Sequence, residues 1–175
     1  ILDLHWTGPN GAQARRLQPM PNRERSRAFW FDLAHAFLDD EGVVFEPFNE
    51  PFPDLNLDTD EAWQCWRDGC TENQAVRAGG PPGTYEAIGM QELVDAIRQT
   101  GSKHLILLGG VQYSNSLSQI LAYLPQDPLA NLAVAWHVYN NNRCRELECW
   151  NGAPFAVAWA LPLVATQFGQ NDCCG

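Results

Sequence analysis

The sequence is poor in basic residues and has no long apolar run. Its 11 lysines and arginines stand against 21 aspartates and glutamates, which gives a formal net charge of −10. A phosphate backbone would be repelled by this charge, so we expect no binding to nucleic acid. The best apolar run, residues 155–165, is short for a membrane helix and is interrupted by Pro162. We therefore expect no membrane partner.

The sequence also lacks the motifs that bind common cofactors. It contains no phosphate-binding loop, no dinucleotide fingerprint and no cluster of residues with metal-ligand spacing. A protein of this composition is expected to work without a metal and without a cofactor.

Six cysteines are present, in two equally spaced close pairs and one adjacent pair: Cys65/Cys70, Cys144/Cys149 and Cys173/Cys174. The two close pairs lie in loop-like sequence and predict two small disulfides, which are typical of secreted, extracellular proteins. Free thiols in a reducing cell are the alternative. A zinc site is less favoured, because no histidine lies near either close pair. The partners of the adjacent pair stay open.

Strand-like and helix-like patterns alternate along the chain, which predicts an α/β fold with a parallel sheet and crossover helices. Five strands are expected, at residues 1–6, 43–48, 104–109, 132–139 and 163–168. Four helices are expected, at residues 26–39, 85–100, 117–123 and 154–161. The segment 51–83 is rich in Pro, Asp and Gly and is expected to be a long functional loop.

Polar motifs stand at the ends of four predicted strands. They are Asn49-Glu50-Pro51, Leu2-Asp3-Leu4-His5-Trp6, Trp136-His137-Val138-Tyr139 and Thr166-Gln167-Phe168-Gly169. The carboxyl ends of parallel strands are where (β/α)8 barrels keep their chemistry. A carboxylate such as Glu50, beside an amide side chain and stiffened by a proline, is well placed there to be a catalytic acid.

In chain order, these four motifs resemble glycoside hydrolase family 5, the retaining cellulases and their relatives. The resemblance runs over nearly the whole chain and implies a partial TIM (β/α)8 barrel. About five parallel strands with crossover helices would be present, and the family's first two strands and last strand would be lacking. A complete barrel typically needs about 250 residues, whereas this chain has 175. We expect one domain over residues 1–175 that is incomplete or self-associates, so that a homo-oligomer closes the open edges.

The resemblance also implies roles for the strand-end residues. Retaining glycosidases use two carboxyl groups about 5 Å apart, one as acid/base and one as nucleophile. Glu50 matches the acid/base, and Asn49 matches the asparagine that would bond the 2-hydroxyl of the reacting sugar. His5, His137 and Tyr139 match neutral groups that would orient the two carboxylates. The resemblance accounts for both histidines and for Glu50 without a metal.

Gln167 departs from the family pattern, because it stands where the family has its nucleophilic glutamate. A glutamine is nearly isosteric with glutamate but is uncharged, and it cannot form the usual glycosyl ester. Three explanations stay open. The exchange is an introduced substitution that disables the chemistry and preserves the shape, or a natural change in a sugar-binding protein, or another carboxylate such as Asp172 serves instead. The first of these requires the smallest change.

Several tryptophans stand at or just beyond predicted strand ends, where flat sugar faces would stack on aromatic rings. The expected substrate-binding tryptophans are Trp6, Trp63, Trp66 and Trp150, with packing beneath a loop as the alternative for each. Trp30, Trp136 and Trp159 are expected in the core instead. An open cleft with such platforms fits a β-1,4-glucan polysaccharide or a cello-oligosaccharide, while mannan, xyloglucan and mixed-linkage glucan stay open.

The leading interpretation is therefore an endo-acting glycoside hydrolase of β-1,4-glucosidic bonds. Glu50 would serve as acid/base in a double displacement, and Gln167 would occupy the place of the nucleophile in an inactivated variant. A carbohydrate-binding pseudoenzyme is the alternative from another class. A third interpretation is a partial barrel that functions only after it pairs with itself or with further strands.

Overall fold

In the computed structural model, residues 1–75 and 83–170 are described, and their centre is a five-stranded parallel sheet. The strands of the described residues are β1 (Leu2–Asp3), β2 (Phe45–Glu46), β3 (Gly69–Asn73), β4 (Thr84–Ile88), β5 (Ile106–Gly109), β6 (Leu132–Tyr139) and β7 (Leu163–Gly169). The helices and single helical turns are α1 (Arg23–Ala36), α2 (Pro53–Asn56), α3 (Asp60–Asp68), α4 (Met90–Gln99), α5 (Val111–Ser114), α6 (Leu147–Trp150) and α7 (Ala153–Ala160). A short 3₁₀ turn, Pro9–Gly11, follows β1.

The central sheet has the strand order β1-β2-β5-β6-β7, and every neighbouring pair is parallel. The five strands curve through about half of a closed barrel. This confirms the predicted fold class, a partial (β/α)8 barrel of five parallel strands. Because the strands are parallel, their carboxyl ends meet at one edge of the sheet, which is where the four motifs lie.

A two-stranded antiparallel hairpin corrects two sequence predictions. β3 pairs with β4, so the segment 51–83 is not simply a long loop. The start of the helix predicted at 85–100 is strand β4, and α4 begins only at Met90. The segment also contains α3, whose first turn is capped by the side chain of Thr59, which accepts a hydrogen bond from the Ala62 amide at 3.1 Å.

The helix predicted at residues 117–123 is also wrong, because these residues form successive turns. Leu117 and Ile120 are buried in the core, and their spacing of three residues imitates a helical pattern. The predicted strands 1–6 and 43–48 are also shorter in the structure, where only the residues of β1 and β2 form strands. Strand β6 spans the predicted residues 132–139.

Most large buried side chains pack between the sheet and helices α1, α3 and α4. The fully buried set includes Trp30, Phe45, Trp63, Trp66, Met90, Leu93 and Ile97. The opposite end of the sheet is less covered. Trp159 on α7 is 80% exposed and Phe168 on β7 is 77% exposed, so the prediction that Trp159 belongs to the core is wrong. β7 is the last strand of the described sheet, and within residues 1–75 and 83–170 no strand pairs with its outer edge.

Both predicted loop disulfides are present. Cys65–Cys70 joins α3 to β3 with a Cα–Cα distance of 5.0 Å, and Cys144–Cys149 closes the loop before α6 with a Cα–Cα distance of 5.4 Å. Asp172, Cys173 and Cys174 lie outside the described residues. Among the helices of residues 1–75 and 83–170, none combines the length and the apolar character that crossing a membrane requires.

A buried ion pair joins α4 to the loop between α5 and β6. Arg98 contacts both carboxylate oxygens of Asp127 at 2.8 and 2.9 Å, and the two side chains are only 6% and 1% exposed. Burial alone would raise the pKa of Asp127. Hydrogen bonds from Arg98 and from the Asn131 and Leu129 amides outweigh burial, and they lower this pKa below its ordinary value.

We predict that Asp127→Ala lowers the free energy of unfolding by about 3–5 kcal/mol, because it leaves the Arg98 guanidinium buried without its partner. Glu146→Ala removes the exposed Arg145–Glu146 pair and should cost less than about 1 kcal/mol. Urea unfolding measures both. Because the folded-state pKa of Asp127 is lowered, its contribution is present above the unfolded-state pKa and is lost as the pH falls through the folded value. Equal losses for the two variants would contradict the prediction.

Candidate active site

Glu50 and His137 form the centre of the polar cluster at the carboxyl edge of the sheet. Glu50 follows β2, and its Oε1 lies 3.1 Å from Nδ1 of His137 on β6. The His137 side chain is fully buried, whereas the Glu50 side chain is 24% exposed. The carboxylate is therefore held by a buried imidazole and still reaches solvent, as a proton-transferring group requires.

A β-bulge sets the position of Gln167. Trp136 on β6 is paired with Ala165 on β7, but the next residue of β6, His137, is paired with Gln167. Thr166 is the extra residue in this register shift. A bulge re-aims the side chains that follow it, and here it brings Gln167 opposite His137.

Gln167 hydrogen-bonds to groups on both sides of it. Its Nε2 donates to Oδ1 of Asn49 at 2.7 Å, and its Oε1 accepts from the Tyr139 hydroxyl at 3.2 Å. Asn49 follows β2 and Gln167 lies on β7, with β5 and β6 between these strands in the sheet. The hydrogen bond therefore crosses the concave side of the half-barrel and ties the tips of two distant strands together.

The backbone at Glu50 is in the left-handed region, with a φ of 53°. A residue with a Cβ adopts this conformation at a cost of about 1–3 kcal/mol, and such residues cluster at functional sites. The next residue is held in place, because the carbonyl of Pro51 accepts a hydrogen bond from the Tyr113 amide at 3.0 Å. Burial, and then the charge of Glu50, raise the pKa of the Tyr113 hydroxyl. Tyr113 therefore stays a neutral donor near Glu50.

A second carboxylate faces the other side of His137. Glu46 on β2 is buried, and its Oε1 lies 3.7 Å from His137 Nε2. Burial lowers the pKa of His137, but the two neighbouring carboxylates, Glu46 and Glu50, outweigh burial and raise this pKa above its ordinary value. The sequence analysis missed Glu46. Its signal was a charged residue inside the apolar run of residues 43–48.

Among the described residues, the side chains of His5 and Trp6 form no hydrogen bond or ion pair with this cluster. The His5 side chain is 55% exposed and its Nδ1 is 2.8 Å from the Asp3 carboxylate. Trp6 is 47% exposed and lines a groove of about 320 Å³ together with Phe29. Among the contacts of the described residues, none links His5 to Glu50, so the structure does not join His5 to the predicted constellation.

Trp63 and Trp66 are core residues, which corrects their prediction as substrate platforms. Both are 0% exposed, and their rings pack edge to face 5.4 Å apart. Their N–H groups are used internally, by Asp58 at 2.6 Å and by the Gly109 carbonyl at 2.8 Å. Neither indole offers a face to a sugar. The signal was present in the sequence, because both lie on the apolar face of the helical segment 60–68.

Trp150 keeps the predicted access to solvent. It is 38% exposed and packs edge to face against Trp136 at 5.9 Å. Tyr113 is 36% exposed and packs on Phe52 at 5.0 Å. The aromatic faces available near the strand ends are therefore fewer than the sequence suggested.

A (β/α) half-barrel with a carboxylate, amides and a buried histidine at its strand ends has the arrangement that barrel glycosidases use. Residues 1–148 match the model of the family Cellulase (glycosyl hydrolase family 5). The chain belongs to glycosyl hydrolase family 5. The matched region includes Glu50 and His137 and ends before Gln167.

Solved structures support the fold. The endo-β-1,4-glucanase Xac0029 from Xanthomonas axonopodis pv. citri is 19% identical, with a TM-score of 0.60 over 98% of this chain and 53% of that one. A triple mutant of the endo-β-1,4-glucanase Xac0030 from the same organism is 23% identical, with a TM-score of 0.50 over 83% of this chain and 41% of that one.

The catalytic domain of Thermobifida fusca endoglucanase Cel5A is 18% identical, with a TM-score of 0.51 over 83% of this chain and 40% of that one. At these identities the likeness establishes the fold alone. The chain spans about half, or less, of the length of these three structures. A comparison with curated proteins finds no match.

We predict that Trp66→Phe lowers the free energy of unfolding by about 2–4 kcal/mol. The substitution leaves the Gly109 carbonyl without its donor and opens a cavity in the core. Trp150→Phe, at a partly exposed site, serves as the matched control and should cost less than about 1 kcal/mol. Urea unfolding followed by circular dichroism measures both. A cost for Trp66→Phe no larger than that of the control would argue against its role in the core.

Proposed function

We propose that this chain carries the catalytic strand ends of an endo-acting β-1,4-glucanase, with Glu50 as acid/base and Gln167 at the position of the nucleophile. One observation carries the proposal. The tips of β2, β6 and β7 are linked side chain to side chain, through the contacts Glu50–His137 and Asn49–Gln167–Tyr139. These contacts bring an acid and a candidate nucleophile position to one side of the sheet.

The retaining mechanism assigns a step to each position. The acid/base gives its proton to the glycosidic oxygen as the bond to C1 breaks, while a carboxylate attacks C1 and forms a glycosyl ester. The acid/base then takes a proton from water, which hydrolyses the ester and frees the carboxylate. Glu50 fits the first role because it is partly exposed and bonded to His137. Gln167 cannot form the ester, since its amide is neutral and a poor nucleophile.

The neighbouring groups fit supporting roles. His137 would hold the Glu50 carboxyl group in place. Tyr139, which donates to Gln167 Oε1 at 3.2 Å, would donate in the same way to a glutamate oxygen. The Asn49 amide now accepts from Gln167. With a glutamate at residue 167, the Asn49 side chain would have to turn over and donate, because two acceptor oxygens repel each other.

The substrate class is a β-1,4-glucan polysaccharide or a cello-oligosaccharide. Trp6, Tyr113 and Trp150 expose ring surface on which sugar faces could stack. A neutral polymer is also indifferent to the net charge of −10. The two disulfides fit a protein that acts outside the cell.

The second candidate function is carbohydrate binding without turnover. Gln167 favours it, because a glutamine keeps the shape and hydrogen bonds of the position but removes the charge. His5, whose side chain points to Asp3 rather than to Glu50, would then be a peripheral sugar contact.

We further propose that residues 1–175 act as a single domain that associates through its open edge. The last three elements of the described chain, α6, α7 and β7, carry four exposed large apolar side chains: Leu147, Phe155, Trp159 and Phe168. Apolar surface at a free strand edge invites pairing with another chain. A homo-oligomer would bury this surface.

We predict that Gln167→Glu gains the ability to release reducing sugar from carboxymethylcellulose, while the original chain releases little or none. The exchange restores the carboxylate needed for the glycosyl ester, whose loss typically costs several orders of magnitude in rate. Addition of Glu50→Gln to Gln167→Glu is the matched control and should abolish the gain. If neither the original chain nor Gln167→Glu releases reducing sugar, while both are folded and bind cellopentaose, the result would favour the carbohydrate-binding alternative.

We predict that Trp159→Lys combined with Phe168→Lys reduces self-association measured by sedimentation velocity, because charges replace apolar contacts at the open edge. Leu55→Lys is the matched control, since Leu55 is 82% exposed on α2. It should leave the sedimentation profile unchanged. A single monomeric species at every concentration of the original chain would contradict self-association.

A further inference from the structure

Glu46 is a buried carboxylate for which the proposed mechanism has no role. Its side chain is only 6% exposed, and it lies on β2, inside the half-barrel beneath the Glu50–His137 pair. Its Oε1 has no hydrogen-bond partner among the described residues. An unpaired buried charge is costly, so a carboxylate at this position calls for a partner.

The nearest candidate partner for this carboxylate is the Nε2 atom of His137. This atom is also buried without a hydrogen-bond partner within residues 1–75 and 83–170, and it lies 3.7 Å from Glu46 Oε1. That distance is about 0.5–1 Å longer than a hydrogen bond. It is also too short for a bridging water, which would need room for two hydrogen bonds. A small side-chain movement therefore joins the two atoms directly.

Within residues 1–75 and 83–170, no charged group other than Glu46 and Glu50 acts on His137. Glu46 comes from β2 and Glu50 from the turn after it, and these two carboxylates are the charged groups that act on the imidazole. On β7 the residue paired with His137 is the neutral Gln167. On the other side, β5 ends at Gly109, which carries no side chain.

We propose that Glu46 is a positioning residue that holds the proton of His137 on Nε2. His137 Nδ1 then presents its lone pair to Glu50 and accepts a hydrogen bond from the protonated Glu50 carboxyl group. When Glu50 gives its proton to the glycosidic oxygen, the His137 proton remains on Nε2, facing Glu46. Glu50 regains a proton from the water that hydrolyses the glycosyl ester, and its carboxyl group can then donate to Nδ1 again. The part of this inference that concerns catalysis rests on the proposed role of Glu50, whereas the Glu46–His137 contact does not.

This assignment explains why two carboxylates can flank one buried imidazole. A histidine has two nitrogens, and the hydrogen bond made by one of them decides which proton the other carries. Glu50 and Glu46 approach opposite nitrogens, at 3.1 and 3.7 Å. The exposed carboxylate is free to exchange its proton with substrate or water, while the buried one is fixed. The asymmetry in burial therefore separates an orienting carboxylate from a reacting one.

The test is ¹⁵N nuclear magnetic resonance of the histidine imidazoles across a pH series, for the chain as it is and for Glu46→Gln. In the original chain, neutral His137 should show a protonated Nε2 and an unprotonated Nδ1. In Glu46→Gln its titration midpoint should shift downward, because one of the two carboxylates that raise its pKa is gone. His104, held by Ser102 and by the Asp40 carbonyl, is the internal control and should give the same signals in both proteins.

Either of two results would overturn the inference. One is a proton on Nδ1 of neutral His137 in the original chain, a result that needs no variant to fold. The other is an unchanged His137 midpoint in a folded Glu46→Gln protein. Glu50→Gln distinguishes the effect of Glu50 from that of Glu46, because it should lower the titration midpoint of His137 and leave the proton of the neutral imidazole on Nε2.

Turnover gives an independent readout. In the Gln167→Glu background, Glu46→Gln should change the pH profile of kcat and leave KM nearly unchanged, since Glu46 does not touch substrate. An inactive Gln167→Glu protein would count against the proposed function alone, and the imidazole spectra would still decide the role of Glu46.

Discussion

The curvature of the parallel sheet is the constraint on which the candidate site depends. In a flat sheet, β2 and β7 would lie about 14 Å apart, which is three strand spacings. In the structure their tips are joined by a hydrogen bond of 2.7 Å between Asn49 and Gln167. No change of rotamer could close a gap of that size. The side chains meet because the strands that carry them wrap through half of a barrel.

Tryptophans of the helical layer hold the strand ends where this curvature matters. Trp30 on α1 donates to the Pro47 carbonyl at 2.8 Å, and Trp66 on α3 donates to the Gly109 carbonyl at 2.8 Å. These carbonyls lie just beyond β2 and at the end of β5, where the ladder of the sheet stops and backbone acceptors lose their partners. Both indoles are fully buried, so each of them fills space in the core and also fixes the end of a strand.

The sequence predicted the fold where local and tertiary signals agree. β6 is an apolar run interrupted by His137, and it was predicted at its observed residues, whereas the β3–β4 hairpin was missed. Tyr85 and Ile88 are also spaced to extend the face of α4, so β4 resembled a first helical turn. Gly89 lies at the boundary between β4 and α4. A glycine is needed there because a Cβ would lie 2.3 Å from the Arg67 carbonyl oxygen. The strand-end motifs predicted Glu50 and His137, but the bulge at Thr166 depends on pairing between β6 and β7, which no local pattern carries.

The neutrality of Gln167 affects more than the missing ester bond. The interior already contains Glu46 and Glu50, with one imidazole between them. A glutamate at residue 167 would add another negative charge beside them, and like charges in a shared site favour retention of a proton. Glu50, whose side chain is 24% exposed, is the proposed acid on which this repulsion would act. In the proposed mechanism, a glutamine at residue 167 would therefore lack both the nucleophilic charge and the repulsion of that charge on the acid.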